Sequence, residues 1–251
     1  MVRTLLVRGM LVGIVAGLLS FGFLKVYGEP QIDRAIAFEE RMDEEKAEFA
    51  KRHGMPMPEE QAELVSRPVQ AGLGLFVAVM VYSAAFGGLF GLAFAFAQGR
   101  MPGELSPRAL AALLALIGFV AIYLVPNLKY PANPPSVGNP DTIGTRTALY
   151  FGMIGISLIA IVGAVNFRRT LTARYGAWNA TLVVAGYYLI VMVVAALLLP
   201  TVNEVPDEFP AVVLWKFRVA SLGSQVILWA TLGLLFGGLT QRAYVHSRAA
   251  T

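Results

Sequence analysis

Asn133, Asp141, Asn203, Glu204, Glu29, Asp33 and His53 are the side chains of this sequence whose types suit a metal ion. Carboxylate and amide oxygens with one imidazole match a hard to borderline divalent cation held weakly and released again. Asn133 and Asp141 lie in the stretch Leu128–Thr147, LKYPANPPSVGNPDTIGTRT, which opens with Lys129, Tyr130, Pro131, Pro134 and Pro135. Proline fixes φ and removes a donor, and each preceding residue is pushed towards extended backbone, so this is a stiff loop. Lys129 and Arg146 would repel a bare metal ion unless paired with carboxylates. The loop therefore reads first as a rigid gate or docking element and second as a source of ligands. Asp141 or Thr142 also suits the capping of a following helix, and lone loop carboxylates are usually solvated. His53 opens HGMPM, an imidazole with the thioethers of Met55 and Met57, but a single histidine more often marks a helix stop than a site. No Ser/His/Asp set, HExxH or phosphate-cradling loop is present, and no enzyme activity or tightly bound cofactor is expected.

The elements that position these residues are membrane helices. Apolar residues make up 57% of the chain and charged ones 14%, and the mean hydropathy is +0.64, too apolar for an ordinary soluble domain. Apolar segments run from about Leu5 to Leu24, Ala71 to Ala97, Ala109 to Val125, Ala148 to Asn166, Ala180 to Leu199 and Val219 to Thr240. The expected fold is an all-α polytopic transmembrane bundle of about six spanning helices. Three regions follow: a first transmembrane helix over 1–27, an acidic extracytoplasmic loop over 28–70, and a five-helix region over 71–251. The first segment starts like a secretory signal, but no small-residue cleavage site follows and Lys25 abuts it, so it reads as an anchor. Gly9, Gly13 and Gly17 recur every four residues and present bare backbone for helix packing. In the loop, Ile32, Ala35, Met42 and Phe49 fall at helical spacing, which predicts an amphipathic helix from about Gln31 to Arg52, stopped at Gly54.

Segments two to six contain no Asp, Glu, Lys, Arg or His, so a buried proton relay is not expected. Basic residues cluster at segment ends, which points to membrane topology and away from nucleic acid. Six crossings put nine Lys and Arg on the side of the termini, against four in the short loops opposite. Both termini are then cytoplasmic, and the proline loop faces outward beside the acidic first loop. The exits LVPNLKYPANPP and LLPTVNEVPDEFP echo one another, each an apolar helix stopped by proline and followed by Asn and further prolines.

LVPNLKYPANPPSVGNPDTIGTRTALY, WNATL, NEVPDEFP and LWKFRVASLGSQ, with GEPQIDRAIAFEE in the first loop, resemble the CbtA family over essentially the whole chain. The resemblance implies a bacterial inner-membrane subunit for uptake of Co2+ in support of cobalamin synthesis. It also implies a CbtB-like partner, a small single-helix protein with a histidine-rich tail, supplying the imidazoles this chain lacks. The family is described with five crossings, where the segments here number six. Two alternatives stand beside it: a non-transporting scaffold or sensor, and a transporter of a neutral organic solute. Metal selectivity, energy source and homo-oligomer formation are left open.

Overall fold

A computed structural model describes residues 2–56, 65–100, 105–135 and 137–249, all helix and loop. Met57 of the HGMPM stretch lies outside the described residues. Five helical runs are long and apolar enough to cross a membrane. In the first, α1 (Val2–Phe23) passes through a π-helical turn, Leu24–Gly28, into the amphipathic α2 (Glu29–His53). Gly54 ends α2 at φ 65°, the left-handed position that glycine adopts without a steric cost. The second joins α3 (Arg67–Val69) through another π turn to α4 (Leu75–Ala97). The third is α5 (Pro107–Gly118), a π turn at Phe119–Leu124, and α6 (Val125–Lys129). Pro107 at its first position and the Ser106 hydroxyl, which accepts from the Ala109 N–H at 3.2 Å, start this run. The fourth is α7 (Ile143–Leu198). The fifth is α8 (Ala211–Thr231), a π turn at Leu232–Phe236, and α9 (Gly237–Ala249).

Helix α7 is one run but two apolar arms. Gly176, at φ 76° and ψ 164°, breaks it, a conformation an L side chain adopts only with strain. Beyond the break the second arm returns along the first: Ser157 and Tyr188 share a hydrogen bond at 2.9 Å, and Met153 and Ala160 pack with Met192 and Ala195. Val120, Val125 and Tyr130 join this hairpin to the α5–α6 run.

The remaining helices form the bundle proper. The α1 face carrying Gly9, Gly13 and Gly17 lies on α4, where a Cβ on Gly9 or Gly13 would overlap the carbonyl oxygen of Gly87 or Ser83. The bare backbones therefore touch directly. Leu5, Val12, Phe90, Phe94, Leu228, Leu232 and Phe236 close the core beside this seam. Large apolar side chains such as Ile159, Leu197 and Leu198 stay more than 70% exposed, the surface a lipid solvent requires. Predicted bounds differ in three places: the third run passes Pro126 and ends at Lys129 rather than Val125, the last run extends past Thr240, and α8 begins at Ala211 rather than Val219, so Arg218 sits two turns inside a helix instead of flanking one.

Helix α2 is packed against the rest of the protein. Ala35, Phe38 and Met42 cover Val137 of the proline loop and Val205, Phe209 and Val213 of the next exit, with the Phe38 and Phe209 rings edge to face at 5.1 Å. Phe38 joins the stripe read from the sequence, while Phe49 remains exposed. Arg67 ties the base of α2 to the start of the α4 run, bridging Glu29 and, at 2.8 Å, Asp33. Glu29 is buried, so Arg67→Gln leaves a sequestered carboxylate without its cation, at a cost of about 1–3 kcal/mol. Faster hydrogen exchange at the base of α2 is the expected readout, partly reversed by the double change Glu29→Gln, Arg67→Gln.

Candidate functional site

The two proline-stopped exits meet. Tyr130 donates its hydroxyl to the Pro200 carbonyl at 2.8 Å, and the Asn139 N–H donates to Glu204 Oε2 at 2.7 Å. Between them lies a cavity of about 860 Å3, walled by α6 and its loop, the start of α7, residues 201–205 and α8. Asn133, Asn203 and Glu204 all line it, as do Lys129, Tyr130 and Pro131. Three of the seven candidate ligands, from loops 70 residues apart, thus share one space. Pro134 is buried in the loop and Pro135 exposed, neither on the cavity wall.

The other four candidates sit elsewhere. Glu29 and Asp33 are engaged by Arg67. His53 stacks on Phe49 at the far end of α2, about 30 Å along the helix axis from Asp33. Asp141 is exposed and off the cavity wall. The cap read for Asp141 or Thr142 belongs to Asn139, whose side-chain oxygen accepts from the Asp141 N–H at 2.9 Å. Among the described residues, no three His, Asp or Glu side chains gather closely enough to hold a metal ion.

Charge in the cavity is lopsided. Arg146 approaches Glu204 at 3.4 Å and donates to the Asn139 carbonyl. The Thr142 hydroxyl, shared between the Asn139 carbonyl and Glu204, the Asn139 N–H and the Arg146 charge hold the Glu204 carboxyl below its ordinary range. Glu204 is therefore ionised and already occupied by its own loops. Arg218 reaches in from α8 and donates to Asn133 Oδ1 at 2.9 Å and to the Ala132 carbonyl at 3.2 Å. Neither Arg218 nor Lys129 has a carboxylate partner among the described residues.

A polar file continues along α8. Arg218, Ser221 and Gln225 recur at spacings of three and four, which places them on one helix face. Ser221 bonds to the Tyr123 hydroxyl at 2.9 Å, Ser224 donates to the Ser221 carbonyl at 2.8 Å, and Ser20 donates to the Ser224 carbonyl at 3.3 Å. Gln225 and Tyr82 face a common space. A second cavity of about 330 Å3, lined by Ser20, Tyr82, Ser83, Ser224 and Gln225, follows the first along this face, with Leu228 at its edge. By its place before Val219, Arg218 counts in the sequence among the basic residues at segment ends. The 218, 221, 225 spacing was the available signal, and recognising it needed the true start of α8.

A family model described as Probable cobalt transporter subunit (CbtA) matches residues 2–241. The chain belongs to the CbtA family. The residues matched include those that line both cavities. The CbtA chain is a multi-pass membrane protein, of a family described as a probable cobalt transporter subunit. Comparisons with curated proteins and with solved structures give no significant match.

Proposed function

We propose that this chain is the membrane subunit of a Co2+ uptake system supporting cobalamin synthesis in the bacterial inner membrane. The observation that carries the reading is the junction of the two proline-stopped loops around one cavity, followed along α8 by a file of hydroxyls and an amide. The cavity is the outward mouth, and the file is the route inward. Asn133, Asn203 and Glu204 form part of the polar wall of the mouth, with Glu204 held by Arg146 and the Asn133 oxygen by Arg218. Acidic residues of α2 raise the local cation concentration around it. Glu29, Asp33, Asp141 and His53 take no direct part in this scheme.

With Gly176 turning α7 back, the chain crosses six times and both termini are cytoplasmic. Within region 28–70, between the first helix and the five-helix remainder, α2 works as a brace over the mouth. The chain holds only two histidines, His53 and His246, on opposite sides of this topology. A CbtB-like single-helix partner rich in histidine supplies the imidazoles for metal delivery. Radiocobalt uptake by cells expressing the chain with that partner tests the scheme. Joint replacement of Asn133, Asn203 and Glu204 by Ala, at unchanged membrane abundance, should lower uptake about tenfold or more, as the loss of the polar wall of a pore mouth would. Undiminished uptake would remove these residues from the route.

A further inference from the structure

We infer that the outer cavity binds a small polycarboxylate anion, and that cobalt enters it as the chelate of such an anion. The inference rests on the transport reading above and names the form in which the metal arrives. Size is the first argument: about 860 Å3 falls within the roughly 300–1,000 Å3 typical of pockets for small organic ligands, far more than one hydrated ion fills.

Charge is the second. Lys129, Arg146 and Arg218 face the cavity against the single carboxylate of Glu204. Glu204 is held by the Asn139 N–H and Arg146, which leaves Lys129 and Arg218 uncompensated. A bare divalent cation meets net repulsion there, whereas a ligand with several carboxylates meets three cations. Guanidinium groups match carboxylates in geometry as well as charge, through paired N–H donors. Arg146 Nε is buried against Glu204 at 3.4 Å, so Lys129 and Arg218 are the cations left for a ligand. The hydroxyl of Tyr123 and the amides of Asn127, Asn133 and Asn203 add groups able to bond the remaining oxygens of a chelate. One wall thus recognises an anion while the metal's own ligands are carried in with it.

Isothermal titration of the purified full chain with its partner in lipid nanodiscs tests this with three probes: citrate, the 1:1 cobalt–citrate complex, and aquated Co2+ in a non-chelating buffer. Cobalt citrate is expected to bind at least about tenfold more tightly than aquated Co2+, and Lys129→Gln or Arg218→Gln to weaken it about tenfold each. Among the described residues Lys129 makes no polar bond, only a cation–π approach to Tyr130 at 5.8 Å, so its loss leaves the fold intact even if that of Arg218 disturbs the Asn133 loop. Tighter binding of aquated Co2+ than of either citrate form overturns the inference, as does citrate binding indifferent to Lys129→Gln. Binding of free citrate without its cobalt complex overturns the chelate and leaves an anion site. Should radiocobalt uptake fail in every form while Lys129-dependent binding of cobalt citrate persists, the transport reading falls and the chelate site stands.

Discussion

Replacing Gly13 by leucine is expected to lower the thermal midpoint of the solubilised protein by on the order of 10 °C, or to prevent its accumulation in the membrane. A side chain there would start from a Cβ already overlapping the Ser83 carbonyl oxygen, and Gly9 and Gly91 meet their neighbours' backbones in the same way. Overpacking against side chains typically costs about 1–3 kcal/mol because rotamers can adjust. A helix carbonyl has no rotamer to change, so α1 and α4 must separate along their whole contact. That separation also opens the cluster of Leu5, Val12, Ala16 and Phe90 beside the seam. Gly22, on the same helix with open space where its Cβ would stand, is the control: Gly22→Leu should leave the midpoint unchanged. Equal behaviour of the two variants would show that the seam does not determine stability.

Ser221→Leu is expected to abolish most cobalt uptake while the protein still reaches the membrane. Ser221 joins the Tyr123 hydroxyl to the run of polar groups ending at Gln225, and it borders the outer cavity. Leucine at this point removes the hydroxyl and places a branched apolar side chain across the file. A dehydrated constriction of this kind stops an ion that travels with water or polar ligands, so a decrease of about tenfold or more is expected. Ser221→Ala, which leaves the space open, should cost only about two- to fivefold, since one hydroxyl is worth about 1 kcal/mol. Ser221→Thr should transport nearly as well as the parent. Wild-type rates in the leucine variant, measured at matched membrane abundance, would place the route elsewhere.

Local chemistry made much of this molecule legible. Gly54 stops α2 because it tolerates the left-handed conformation. Pro131 and Pro200 mark the two exits because proline restricts the residue and helix before it, whereas Pro126 lies inside α6. The amphipathic stripe of α2 was visible in its spacing, as was the bare face of Gly9, Gly13 and Gly17. The hairpin in α7 was anticipated as two apolar segments, although Gly176 turns the chain with little interruption of helical hydrogen bonding. What the site reading lacked was neighbourhood. Glu29 and Asp33 look like free ligands until Arg67, more than 30 residues away, is seen to hold both. Arg218 looks like a membrane-edge charge until its helix is seen to begin at Ala211.

The sequence by itself determined the class of protein, the approximate positions of its apolar helices, and the membership in a family whose model matches residues 2–241. These are properties of short windows, set by transfer of each segment into lipid and by the backbone preferences of glycine and proline. Only the tertiary structure decided that Asn133 and Asn203 face one cavity, that Glu204 is already occupied, and that three cations outnumber it. Those facts depend on which helix faces lie together across separations as large as the 204 residues between Ser20 and Ser224. Hydropathy is blind to such pairings, because lipid favours every apolar face alike and leaves close packing and a few hydrogen bonds to choose among them.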